Sequence, residues 1–187
     1  MRRAIVLALF GMLSLCGATA AQAEVKKFML MCDGKLCPHY EAVLNPPDGW
    51  VLDKDATKQN QVHMLVPEGK NFNTADALIY VKVSYRHDKK RPIEDQVRVS
   101  EENWRAKVPD AKIVKLPDVV RDNKKPAFLS ARYENPSQKQ QPYEIVSFGI
   151  DNDSDGNEFS LMVVMSGFNK KALDEAEKTY QTLLRTH

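Results

Sequence analysis

Phe159-Ser160-Leu161-Met162-Val163-Val164-Met165 is an unbroken run of apolar or small residues, with Asp155-Gly156-Asn157 before it and Ser166-Gly167 after it. A short run of this kind, β-branched at its centre and bounded by turn residues, reads as a strand covered on both faces. Such a strand belongs in the middle of a sheet. The segment that starts near Asn169 places Leu173, Ala176, Tyr180, Leu183 and Leu184 on one side of a helix. Asp174, Glu175, Lys178, Gln181 and Arg185 fall on the other side, so this helix is predicted to lie across the sheet.

Toward the N-terminus, Ala77 to Tyr85 alternates between apolar and polar positions and predicts a second strand. Pro92 then stands where a helix tolerates proline best, at its first position, with Glu94 and Asp95 in the first turn. Ile93, Val97, Ser100, Trp104 and Val108 follow at helical spacing, and Pro109-Asp110 ends that helix. Between the two predicted helices lie Lys112 to Leu116, Ala127 to Tyr133, Tyr143 to Ile150 and Glu158 to Met165, all read as strands. Their short polar loops imply antiparallel pairing. Earlier in the chain, Asn45-Pro46-Pro47-Asp48-Gly49-Trp50 is a tight turn that delivers Trp50, a predicted core anchor, into a strand. Val62 to Val66 is another short strand, and His63 within it is expected to be half buried or exposed.

The first 23 residues read as an export signal. Arg2 and Arg3 precede an uncharged apolar run from Ala4 to Cys16, and Ala21-Gln22-Ala23 offers a small-x-small cleavage site. The run is too short for a membrane anchor, which needs about 20 apolar residues. Leu15 before Cys16 departs from the bacterial lipoprotein pattern. Removing 23 of 187 residues leaves 164, enough for one domain with a real core. The two signal arginines account for the whole net charge of +2, so the mature chain is neutral. A neutral domain lacks the basic footprint expected of a nucleic-acid binder. The basic clusters Arg86 to Arg91 and Arg121 to Lys125 read as solvated loops. The mature protein is expected to be periplasmic and to insert in no membrane.

Cys32 and Cys37 remain after export, separated by Asp33-Gly34-Lys35-Leu36. The Asp-Gly turn folds this stretch back on itself, and in an oxidising compartment an even cysteine count favours a disulfide. His39, Met29 and Met31 lie near enough to suggest a soft-metal site, but the spacing lacks the repeated pattern of zinc ligands. It also excludes C-x-x-C thiol chemistry. The chain divides into a signal over 1–23, an N-terminal segment with the cysteine pair over 24–39 and one domain over 40–187.

Pro47 to Trp50 before a strand, the helix from Pro92 to Lys107 in mid-chain, and Val163 to Phe168 leading into a terminal helix resemble the PsbP-like fold family, which includes small exported bacterial proteins of the DcrB-like group. The resemblance covers most of residues 40 to 187. It implies an α+β fold in which a single antiparallel β-sheet is flanked by helices on both faces, and roles in binding and assembly. These are fold markers, and no family site maps onto individual residues of this chain.

Gly-x-Ser-x-Gly, His-Glu-x-x-His, a phosphate loop and a dinucleotide fingerprint are all absent from the sequence. With four scattered histidines there is little material for a hydrolytic triad, and no enzyme is expected. One constellation has ligand character: Asp151-Asn152-Asp153-Ser154-Asp155-Gly156 matches the first half of a calcium loop, with oxygens at positions one, three and five. Met162 stands where the twelfth-position acid is required. Asp151, Asp153 and Asp155 are therefore candidate ligands for weak calcium binding only, on a loop expected to be the most polar exposed projection. No other cofactor is expected. The leading functional expectation is an exported, non-catalytic domain that binds another protein. Its rivals are a periplasmic immunity protein that blocks a delivered toxin, and a carrier of a small ligand or calcium.

Overall fold

The computed structural model describes residues 25–135 and 143–187. Residues 1–24, which hold the expected export signal, and residues 136–142 lie outside the described residues. The elements in chain order are β1 (Val25–Cys32), β2 (Lys35–Ala42), β3 (Trp50–Leu52), α1 (Lys54–Asn60), β4 (His63–Pro67), β5 (Ala77–Tyr85), α2 (Ile93–Lys107), β6 (Lys112–Lys115), β7 (Leu129–Glu134), β8 (Tyr143–Asn152), β9 (Glu158–Gly167) and α3 (Lys170–Thr186).

Strand β9 is the predicted central strand. It pairs antiparallel with β5 on one side, Ile79 opposite Met165, and with β8 on the other, Val146 opposite Val164. The sheet runs β3-β4-β5-β9-β8-β7-β6, and every pairing in it is antiparallel. After β5 the chain crosses the sheet as α2 to reach the far edge at β6. The meander β6-β7-β8-β9 then walks back and closes the gap beside β5.

Alternation divides the side chains of β9 between two cores. Phe159, Leu161, Val163 and Met165 point into the larger one with Ala77, Ile79 and Val81 of β5, under the α3 stripe of Leu173, Ala176, Tyr180, Leu183 and Leu184. Met162 and Val164 point the other way, where Ile93, Val97 and Trp104 of α2 pack with Tyr133, Val146 and Phe148. Helix α3 is held in place by more than apolar burial. Asn169 Oδ1 accepts from the Ala172 amide at 2.8 Å and caps its first turn. The Tyr180 hydroxyl donates to the Val163 carbonyl at 2.8 Å, and Arg132 of β7 pairs with Asp174 at 2.7 Å and also with Glu177. Gly167 lets the helix come this close: a Cβ there would stand 2.8 Å from the Leu173 amide nitrogen.

One expectation needs correction here. The expected single sheet flanked by helices on both faces is two sheets: β1 and β2 form a separate two-stranded ribbon. The two-residue turn at Asp33-Gly34, both at positive φ, closes Cys32 against Lys35 and pairs the facing edges of the two strands, and no strand of the larger sheet joins their outer edges. Helical cover is also uneven, since α2 lies over the β8 side of its face and leaves hollows toward β4 and β5. Helix α1 was not anticipated: no apolar period announces it, because Ala56 is its one buried residue. Local bonds make it: Asp53 caps it through Ala56 N at 3.0 Å, and Thr57 Oγ1 accepts from Met64 N at 3.0 Å.

Gly167→Ala is expected to destabilise the protein by about 1–3 kcal/mol, because the atoms in the way are Leu173 backbone and Cβ and cannot swing aside. Tyr180→Phe, which removes only the hydroxyl, is expected to cost about 1 kcal/mol. Urea unfolding of both variants checks these values; a neutral Gly167→Ala would mean that α3 does not seat on the end of β9.

Candidate functional site

The β1–β2 ribbon has a root and an arm. Val25, Ala42 and Leu44 are buried in the α3-side core, and Tyr40 joins an aromatic group with Phe159 at 4.8 Å and Tyr85 at 6.4 Å between centroids. Glu41 reaches His63 Nδ1 at 3.7 Å. His63 is buried, which corrects the expectation of a half-buried or exposed histidine; burial pushes its pKa down despite the pull of Glu41. From Lys26 to Leu36 the chain is exposed on both faces.

The cross-strand register shows what those faces carry. Phe28 faces His39, Leu30 faces Cys37, and Cys32 faces Lys35, so Phe28, Leu30, Cys32, Cys37 and His39 share one side. Met29, Met31, Leu36 and Pro38 share the other, in line with Val25, Tyr40 and Ala42 at the root. The side that enters the core at the base thus continues outward as an apolar stripe, with Met31 69 % and Leu36 65 % exposed. Opposite it, Phe28 and Leu30 are exposed as well. The sequence reading located the turn and the cysteines but missed this patch. The signal was present: apolar residues on both sides of a two-stranded segment have only one side's worth of core to enter.

Cys32 and Cys37 come together on one side of the arm as diagonal neighbours, and both are free thiols in the structure. The neighbouring Cys37 thiol, with a smaller effect of burial, raises the Cys32 thiol pKa.

The acidic loop between β8 and β9 differs from its expected form. Asp151 is not an exposed calcium ligand; it is 2 % exposed and turned inward. Lys125 Nζ lies 2.6 Å and 2.9 Å from its two oxygens, His187 Nε2 at 3.4 Å and Arg121 Nη1 at 4.0 Å. Burial works to raise its pKa, but hydrogen bonds from His187, Lys125 and the Asn152 amide outweigh it and hold the carboxyl below its usual value. Arg121 is itself buried, stacked 4.1 Å over the Phe128 ring in the space left by Gly149, and donates to the Ile150 carbonyl at 2.8 Å. Asp153 is occupied by its own turn, accepting from the amides of Asp155 at 3.0 Å and Asn157 at 2.9 Å. Asp155 stays exposed, and Glu158 pairs with the buried Arg86 at 2.6 Å. The basic clusters are accordingly not purely solvated loops: Arg86 and Arg121 are internal. The structure therefore does not bring Asp151, Asp153 and Asp155 together, and among the described residues no three His, Cys, Asp or Glu side chains are grouped to hold a metal ion. These long-range ion pairs leave no local pattern in a sequence.

Asp151→Asn leaves the buried Arg121 and the half-buried Lys125 without their carboxylate and is expected to cost about 3–5 kcal/mol, measured by denaturant unfolding. Wild-type stability is expected to fall on acidification in two steps. His187, whose pKa burial lowers from 6.5, resists protonation in the fold, so stability drops as pH falls below that value. Asp151, held below 3.8, adds a second loss as pH falls through its folded value, and this step is absent in the Asn variant. Equal pH dependence in the two proteins would remove Asp151 from this role. A comparison with protein-family models and with curated proteins found no match to this sequence.

Proposed function

We propose that this protein is an exported, periplasmic, non-catalytic domain that binds another protein through the β1–β2 arm. One observation carries the reading: the arm exposes apolar side chains on both of its sides while its root is fixed in the core. A two-stranded ribbon alone is marginally stable in water, and exposed apolar patches of this kind are interaction surfaces or aggregation hazards. Burying Met29, Met31 and Leu36 would contribute roughly 1.5–3 kcal/mol for each side chain fully covered. The outer edges of β1 and β2 also offer unpaired backbone groups, so a partner strand could extend the ribbon while its side chains meet the apolar stripe. The resemblance of residues 40 to 187 to PsbP-like proteins supports binding over chemistry, and the export signal, outside the described residues, supports the compartment. In that compartment the diagonal cysteines are read as a disulfide that stiffens the arm and lowers the cost of ordering it on binding.

A photo-reactive residue at position 31 is expected to give a discrete adduct of higher mass in living cells, while the same residue at position 175, on the exposed side of α3, gives none. An adduct of twice the chain mass would identify a second copy as the partner, and absence of any adduct at 31 would refute the arm as the binding element. Thiol titration of protein taken directly from the periplasm is expected to find no free sulfhydryls; two would show that the arm works reduced.

A further inference from the structure

The sheet face opposite the root of the arm carries a cleft. Helix α2 rests on it through Trp104, packed edge-on against Tyr133 at 5.4 Å, and through Ile93 and Val97. Between that helix and the strands lies an open hollow of about 550 Å³, floored by Tyr80, Val146, Met162 and Val164 and walled by Val99 and Ser100. Tyr80, Lys82 and Glu144 also border a second hollow of about 350 Å³, floored by Met64 and Leu78 and ending at Phe72 and Phe168. The two form one trough along the β4–β5–β9–β8 surface. The larger hollow alone is in the range of small-molecule sites, which have an apolar lining and a few convergent polar groups.

The polar groups have a definite sign. Lys82 Nζ lies over the trough, 5.6 Å from the Tyr80 ring centroid, and Arg91 and Lys107 line the same hollow. The one carboxylate in the lining is Glu144, which accepts from Ser166 Oγ at 2.9 Å and whose ionised form is disfavoured first of all by burial. The Trp104 Nε1–H is buried at the wall and has no acceptor among the described residues. Arg91 is already paired with Asp95 at 3.2 Å, so the uncommitted cations are Lys82 and Lys107; with the unanswered Trp104 donor they call for a ligand with negatively charged oxygens, and the floor calls for an apolar body.

We propose that this trough binds a small amphipathic anion, its apolar body laid along the sheet between Tyr80 and Val164 and its anionic group at Lys82. The site is separate from the arm and stands or falls independently of partner binding. Its ligand class is that of a medium-chain carboxylate or an aryl sulfonate.

The test uses anilinonaphthalene sulfonate as the fluorescent probe on the full mature chain. Saturable binding at one site per chain is expected, displaced by dodecanoate and at least about ten-fold less well by dodecanol, which has the same chain without the charge. Lys82→Gln should weaken probe binding about ten-fold, the loss of one charge-assisted contact, and Glu144→Gln should leave it equal or tighter. Ser100→Trp, which fills the hollow, should abolish it; if that chain does not fold, Val99→Trp serves the same purpose. Met31→Ser with Leu36→Ser should change nothing. The proposal is overturned by no saturable binding, by equal displacement by the alcohol and the acid, by full affinity in Lys82→Gln, or by loss of binding in the arm variant. Weakening by Glu144→Gln in place of Lys82→Gln would likewise overturn it, by assigning the site to a cation.

Discussion

Strand β9 is paired along both edges, and its larger core is closed by the seating of α3 against it. Gly167 ends the strand without a side chain, Leu173 fills the space above it, and Tyr180 returns a hydrogen bond to Val163. With α3 in place the larger core is closed, and that core also receives Val25, Ala42 and Leu44. The root of the arm thus depends on the same packing that holds the centre of the sheet. The end of α3 is fixed in turn by the buried ion group at Asp151, where Lys125 and Arg121 arrive from the loop after β6 and Asn123 donates to the His187 carbonyl at 2.7 Å. A charge group in this setting contributes little net stability when whole and costs several kcal/mol when broken, so it acts as a position-setting clamp.

The parts legible in the sequence were those with a local period. Phe159 to Met165, Ala77 to Tyr85, the α2 positions 93, 97 and 104 and the α3 stripe all carry their burial in their spacing, and each element forms where that spacing puts it. The Asp33-Gly34 turn was legible for a similar reason, since two residues at positive φ need those residue types. What was not legible depends on partners distant in sequence. Asp151 looks like the start of a calcium loop until Lys125 and His187 are brought to it. Arg121 looks solvated until Gly149 opens room for it against Phe128. Helix α1 has no apolar stripe to read. The number of sheets was misjudged because the single sheet was implied by a resemblance over residues 40 to 187, which does not reach the segment before His39, whose ribbon finds no third strand. The trough was invisible because its lining comes from elements between Asn60 and Phe168 in the chain.

The surface that results has two unlike features on opposite sides of one sheet. On the α3 side, a ribbon rooted in the core extends apolar residues into solvent. On the α2 side, a helix that covers only part of the sheet leaves a trough with cationic groups above an apolar floor. The buried ionisable groups elsewhere, Arg86 with Glu158 and Asp151 with its cations, are matched within the fold. The arm is different: its exposed apolar groups gain nothing from the domain that carries it, and this imbalance is the physical basis for assigning it a partner.

Amide hydrogen exchange on the isolated protein measures that imbalance directly. If the arm depends on a partner for its burial, the amides of residues 27 to 37 should exchange through local opening, orders of magnitude faster than those of β9, while Tyr40 to Ala42 at the root stay protected. Protection of the arm equal to that of β9 in the isolated chain would show that the domain already satisfies it, and would contradict the account.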